Sequence, residues 1–383
     1  MYIIINFRNN SNMKTDKTNF NIIISLVLFM IISIISIYTT RLFLKEAFSN
    51  LYLKQLIFYI IGSLIIIFTT FKGFNLLKKY HLIIYIGINI LLLSLLLFGI
   101  SINGSKCWLF IGPFSFQPSE LMKISLIITL SVIISKFKHK KNKSLKDEFI
   151  LILKLLILTL IPSILTFLEP DTGVVIIYFL IFITMFMFLN LNKKWYLISF
   201  FIILFFTSSF IFLYFFERDL FVSIVGDSIF YRLDRILNWA NTSGYQLENS
   251  LIAIGASGIT GFGFNNSPVY FPEPQTDFIF ATFTSNFGLL GASFLIFIIL
   301  IFDTTILRLV TKKVKLCDKY IILGIFIMLF YGQVQNISMT IGLLPITGIP
   351  LPFISYGGTS LLSYLFVIGM ILNINKERLR YRN

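Results

Sequence analysis

Phe271-Pro-Glu-Pro-Gln-Thr-Asp-Phe-Ile-Phe280 is the stretch on which the chain turns. A polar, proline-stiffened loop runs here into an apolar segment that continues to residue 302, with Asp277 at the junction. A carboxylate in that place either caps the helix that follows, by accepting its free amides, or serves as a reagent. Thr276 offers the same capping chemistry, and spacing alone favours a cap over a reagent. Pro272 and Pro274 fix the approach, which positions a carboxylate and equally just ends a loop.

Outward from this junction the chain is overwhelmingly apolar. Of 383 residues 57% are hydrophobic, 44 are Phe and only 13% are charged. A soluble domain carries about a quarter charged residues, so the fold class expected is an all-α polytopic membrane protein. Spans of roughly 20 apolar residues are expected at 21–39, 51–70, 82–100, 119–135, 149–168, 172–190, 195–216, 278–302, 320–341 and 355–374. The whole of 1–383 reads as one transmembrane domain, with tails at 1–20 and 375–383 and a large loop at 217–277. No small-residue cleavage site follows the first apolar run, which is expected to be retained as a span.

Lys and Arg in short loops set the orientation. With the N-terminus inside, inner segments hold twenty-three of them and outer segments six, Arg41, Lys45, Lys106, Arg218, Arg232 and Arg235. Both termini are therefore expected in the cytoplasm, in a multi-pass protein of the cytoplasmic membrane, with 217–277 facing outward. The net charge of +15 is spread over these short loops, which excludes a nucleic-acid-binding face. Cys107 and Cys317 fall on opposite sides, so neither a disulfide nor a metal set is expected.

Four further stretches carry polar chemistry. Phe116-Gln-Pro-Ser-Glu120 precedes Lys123, and the acid and the amine, three apart, share a helix face. Ionisable groups inside a span are functional candidates that pair with one another, although a pair near the interface can simply staple helices. Glu169-Pro-Asp-Thr-Gly173 is a turn in which Asp171 or Thr172 can cap the sixth span. The outer loop offers Arg232, Arg235, Trp239 and Gln246, followed by Gly255, Gly258, Gly261 and Gly263. Without a βαβ context these glycines read as a flexible loop rather than a nucleotide site. Finally, Gly342 to Gly358 has three prolines and four glycines between two apolar runs. Irregular backbone at membrane depth survives only buried in protein or lining a cavity. With Gln333, Gln335 and Asn336 in the preceding span and Ser355 within it, this segment points to a polar cavity open to the outside.

Three of these segments, Phe116–Glu120, Thr276–Phe280 and Gly342–Gly358, resemble in order and spacing the SEDS family (shape, elongation, division and sporulation). The likeness covers nearly the whole chain. Gly348-Ile-Pro-Leu-Pro-Phe353 is more similar to the elongation (RodA) branch than to the division (FtsW) branch, in which a residue such as Thr commonly replaces Pro350. The resemblance implies a peptidoglycan glycosyltransferase that polymerises lipid II beside a class B penicillin-binding protein, in contact with membrane lipids. It implies that Asp277 is the catalytic acid position, that Glu120 and Lys123 are the pair of the fourth span, and that Asp171 is the acid of the Gln/Glu-Pro-Asp turn.

The expected substrate-binding set is Lys106, Glu120, Lys123, Asp171, Arg232, Arg235, Gln246, Asn336 and Ser355. Charge on the departing diphosphate would be met by Arg232, Arg235, Lys106 or Lys123, by a divalent cation such as Mg or Mn, or by both. The chain departs from the family pattern at Gln275, where His is usual, at Thr284-Ser-Asn286, where Gly-Glu-Glu is common, and at Cys107, where Arg precedes Trp. Those departures keep open a non-enzymatic scaffold that recruits synthases. A flippase for the same precursor is the other alternative.

Overall fold

The computed structural model describes residues 17–43, 50–102, 105–111, 114–140, 144–227, 230, 234, 244–312 and 314–380. Long runs of Ile, Leu and Phe with polar breaks fold as helices wherever a span is expected. These are α1 (Lys17–Thr39), α2 (Leu51–Lys72), then the short α3 (Asn75–Lys79) and α4 (His81–Phe98). Next come α5 (Pro118–Lys138), α6 (Leu145–Leu168), α7 (Thr172–Met187) and α8 (Lys193–Phe216). Two short helices follow in the large loop, α9 (Arg218–Val225) and α10 (Tyr245–Ala256). The last three are α11 (Ile279–Val310), α12 (Leu316–Thr340) and α13 (Gly358–Arg380).

Eight of these helices are long and apolar enough to cross a membrane. The expected fourth and sixth spans fold as α5, which carries buried Glu120 and Lys123, and as α7, a shorter apolar helix of 16 residues. Local signals set several ends. Pro118 occupies the first turn of α5, where its missing amide is no loss. Ser144 and Asp147 form a reciprocal capping box on α6. The third span stops at Phe98, short of the expected 100. Residues beyond it fold instead as β1 (Ile100–Ile102), β2 (Ser105–Ile111) and β3 (Phe114–Phe116). The strands are antiparallel, with Ile100 opposite Trp108 and Leu109 opposite Phe116.

The core lies where α13 runs along α2, α11 along α1, and α12 against α5, α7 and α11. Gly62 of α2 admits the side chain of Leu365, and Gly369 of α13 admits Thr69, so the two helices approach closely. By contrast, no residue of α8 is buried.

The glycine-rich stretch after α10 is not the flexible loop expected from its composition. Gly255 is helical, and the following segment is laid against α11 where that helix is broken at Gly288 (φ 61°, ψ −161°). Phe262 N donates to Ser285 O at 3.0 Å and Gly263 N to Asn286 O at 3.0 Å; Leu289 N and Leu290 N donate to Gly258 O and Ile259 O. A Cβ on Gly261 would collide with the Asn286 carbonyl, and one on Gly288 with the Gly261 amide and the Ile259 carbonyl. The break in α11 thus holds the outer-loop backbone in place of its own lost helical bonds.

Candidate active site at the head of α11

The capping expectation for Asp277 fails. α11 starts at Ile279, with Phe278 at its N-cap position and no side-chain cap. Thr276 is turned back as well: its Oγ1 donates to Glu273 Oε2 at 2.8 Å, beside Gln275 Nε2 at 3.0 Å from the same oxygen. The turn is closed by Thr276 N and Phe278 N on Glu273 O, and Thr282 Oγ1 holds Pro274 O at 2.8 Å. Phe271 and Phe278 are buried with Ala253 and Ala281 in a small satellite core. Anchored on both sides, Asp277 is left half-buried with no hydrogen bond to its carboxylate among the described residues. Desolvation, with the nearby Glu273 charge second, pushes that carboxyl up to about 7.

The irregular segment 341–357 makes the wall of this site. Tyr356 N donates to Gln275 O at 2.8 Å, and Ser355 Oγ donates to Thr276 O at 2.6 Å while accepting from Leu351 N. Gly348, at φ +70°, presents no side chain; a Cβ there would stand 3.9 Å from Asp277 Oδ2. Polar groups from α1 and α2 hold the segment from beneath. Ser33 Oγ donates to Ile354 O at 2.7 Å, Gln55 Nε2 to Ser355 O at 3.1 Å, and Tyr59 OH to Phe353 O. Sequence reasoning did not single out Ser33, Gln55 or Tyr59; the available signal was a polar residue inside an apolar span.

The three amides of α12 do not line an open cavity as expected. Gln333, with its nitrogen facing the carboxylate, donates to Asp303 Oδ2 at 2.8 Å. Gln335 Nε2 donates to Pro345 O at 2.8 Å, and Asn336 Nδ2 donates to both Asp277 O and Ile349 O at 2.9 Å. All three residues are buried, so they satisfy the chain's own backbone and side chains. Ser355 and Asn336, expected as substrate ligands, are therefore supports for the wall and for Asp277. Asp303, an acid within an apolar run, was also not singled out.

A second polar cluster lies across that wall. Glu120 and Lys123 pair at 2.7 Å with both side chains almost fully buried, and the amine stands 5.2 Å from the Tyr364 ring centroid. Asp171 caps α7 as the sequence suggests, its Oδ1 accepting from Val174 N at 3.2 Å. Its Oδ2 accepts from Gln117 Nε2 at 2.9 Å and from Ser119 Oγ at 3.3 Å. Burial raises the Asp171 carboxyl, and the Glu120 charge adds to this. Glu169 is fully buried with neither carboxylate oxygen partnered among the described residues, and its carboxyl is pushed up to about 8 by burial and, less, by Asp171. A Cβ on Gly173 would meet Thr347 O and Ile349. Residues 347–349 thus touch both clusters, Asp277 on one side and the head of α7 on the other.

Lys123 is already paired and buried, which removes it as a ready counter-charge for a substrate. Lys106 lies in β2, Gln246 is half-buried on α10, and Arg232 and Arg235 lie outside the described residues. Among the described residues no three His, Cys, Asp or Glu side chains come together as a metal site. Where the family pattern has two acids, Ser285 Oγ pairs with Ser267 Oγ at 2.6 Å, and Asn286 Oδ1 accepts from Asn265 N at 2.9 Å. The substitutions at 285 and 286 are thus satisfied locally.

Comparison with known proteins agrees with this architecture. The family model of FtsW, RodA and SpoVE, described as "Cell cycle protein", matches residues 15–380. "Probable peptidoglycan glycosyltransferase FtsW" of Wigglesworthia glossinidia brevipalpis is 34% identical, over 94% of this chain and 93% of its own length. "Stage V sporulation protein E" of Bacillus subtilis (strain 168) is 28% identical, over 95% and 99%. These relatives are of division and sporulation type, so Pro350 does not assign the elongation branch. In fold, the chain is similar to one from "Structural coordination of polymerization and crosslinking by a peptidoglycan synthase complex" (TM-score 0.73, 22% identity, 92% of this chain and 97% of that one). It is also similar to Rod shape determining protein RodA of Thermus thermophilus (TM-score 0.67, 20% identity, 93% and 96%). The chain belongs to the FtsW/RodA/SpoVE family, the SEDS family that its three motifs resemble.

Proposed function

We propose that this protein is a peptidoglycan glycosyltransferase that polymerises lipid II, with Asp277 as general base. The observation that carries the reading is the placement of Asp277: half-buried, uncapped and unbonded, with its carboxyl raised to about 7. A base poised near the working pH, within hydrogen-bond reach of a hydroxyl, contributes typically about 10²–10⁴-fold. The carboxylate takes the proton of the attacking sugar 4-hydroxyl as its oxygen bonds the anomeric carbon of the donor. The bond to the undecaprenyl diphosphate breaks in the same inverting displacement, and the diphosphate leaves with the electron pair. An α-linked donor thereby gives a β-linked product with no covalent sugar intermediate.

The diphosphate charge falls to cations of the outer segments, Lys106, Arg232 and Arg235. The Lys and Arg distribution supports a cytoplasmic-membrane location with both termini inside and 217–277 outside. The names of the relatives support the activity, and the assembly to which one fold neighbour belongs supports a class B penicillin-binding protein as partner.

The test is gel analysis of glycan strands from labelled lipid II, made by the purified protein with its co-purifying synthase and with transpeptidation blocked. Asp277→Asn keeps the size and removes the base. Strands from the wild type and none from a folded variant are the expected result; equal strands from both would remove Asp277 from the chemistry.

A further inference from the structure

We propose that Asn336 is a positioning residue for the Asp277 carboxylate, fixing it against the wall formed by residues 347–349. The inference rests on Asp277 being the base. Asn336 sits in the last two turns of α12, completely buried. Its amide nitrogen carries two hydrogens, and both are committed, one to Asp277 O and one to Ile349 O, each at 2.9 Å. Asp277 and Ile349 lie on separate segments, and one planar group sets the distance between them. Gly348 precedes Ile349 directly, and a Cβ there would stand 3.9 Å from Asp277 Oδ2.

The other ties between the two segments act one and two residues away, from Ser355 Oγ to Thr276 O and from Tyr356 N to Gln275 O. Among the described residues, Asn336 makes the one hydrogen bond from another segment to residue 277 itself. Gln335 provides an internal comparison: it is the adjacent residue on the same helix and holds the same irregular segment through Pro345 O at 2.8 Å, without touching Asp277. Glu273, on the turn preceding the base, is the charged group that acts on Asp277. Releasing Asn336 therefore changes both the wall and the distance to Glu273.

Asn336→Leu keeps the shape and removes both donors; Gln335→Leu loosens the same segment elsewhere. Three quantities are read for each: kcat and KM for lipid II, the acid limb of the rate against pH, and carbodiimide labelling of Asp277 against pH by mass spectrometry. Misplacing a reacting group by about 1 Å can cost about 10²-fold. Asn336→Leu is accordingly expected to lower kcat by that order with KM held within about twofold. Its acid limb and its labelling curve should both move to lower pH as Asp277 gains solvent, while Gln335→Leu leaves both in place. Equal displacement by the two variants would show that the amide only holds the segment, and an unmoved Asn336→Leu curve would end the proposal outright. Labelling needs no turnover. A chain that makes no strands, yet shows the labelling change with Asn336→Leu alone, would overturn the glycosyltransferase reading and leave the positioning role standing.

Discussion

Replacing Glu169 by Gln should remove one contribution to the pH dependence of stability that the wild type carries. The fully buried carboxyl has no partner on either oxygen among the described residues and is raised from 4.5 to about 8. The folded chain therefore holds a proton that the unfolded chain releases above pH 4.5. Stability is highest below that value, falls as pH rises and levels off above about 8. A tenfold difference in proton affinity between the two states corresponds to about 1.4 kcal/mol, so at pH 7 the burden is about 3 kcal/mol. Glu169→Gln mimics the protonated form and cannot titrate. Equilibrium unfolding in mixed micelles, followed from about pH 5 to about pH 8, should show a wild-type stability that declines more steeply than the variant's by about 1.4 kcal/mol per pH unit in mid-range, the slope left in the variant coming from the raised carboxyls of Asp171 and Asp277. Identical slopes in the two proteins would refute the reasoning, because the proton would then be carried by some other group.

Three other outcomes are expected. Glu273→Gln withdraws the second cause of the raised Asp277 carboxyl, so the acid limb of polymerisation, near pH 7 in the wild type, should move to lower pH while desolvation keeps it above the ordinary carboxylate range; this is read from initial rates of strand synthesis. Lys123→Met strands Glu120 as an uncompensated buried acid and should destabilise by about 3–5 kcal/mol, and the double change Lys123→Met with Glu120→Leu should recover much of that loss in the same unfolding assay. Gly288→Ala meets both a left-handed backbone and a collision with Gly261; a loss of a few kcal/mol is expected, with faster proteolysis of the 258–267 segment.

The bundle was legible because ten apolar runs separated by charged or proline-containing breaks leave few other solutions. Errors gathered where apolar character continued past a helix end. Ile100, Ile102 and the residues around Trp108 are apolar enough to prolong a span, and only cross-strand pairing shows that they form a sheet. Asp277 was visible as a junction, but whether a junction acid caps or reacts depends on where Glu273, Thr276 and Phe278 point, which spacing does not encode. The amides of α12 were visible as polar residues in a span, whereas their partners, Asp303, Pro345 and Ile349, come from other places in the chain. Ser285 and Asn286 looked like losses because the compensating Ser267 and Asn265 lie about twenty residues upstream.

The crossing of the outer-loop backbone over the break in α11 also constrains how the sequence can drift. Gly261 and Gly288 face one another so closely that a side chain on either strikes main chain, so no change at one position can make room for a change at the other. The two are locked independently. The neighbouring contacts, Ser267 with Ser285 and Asn265 with Asn286, are made by side-chain atoms on at least one partner and can be exchanged for other complementary pairs. Variation in this lineage should therefore pass through 285 and 286 and stop at 261 and 288, leaving the crossing itself the same age as the fold.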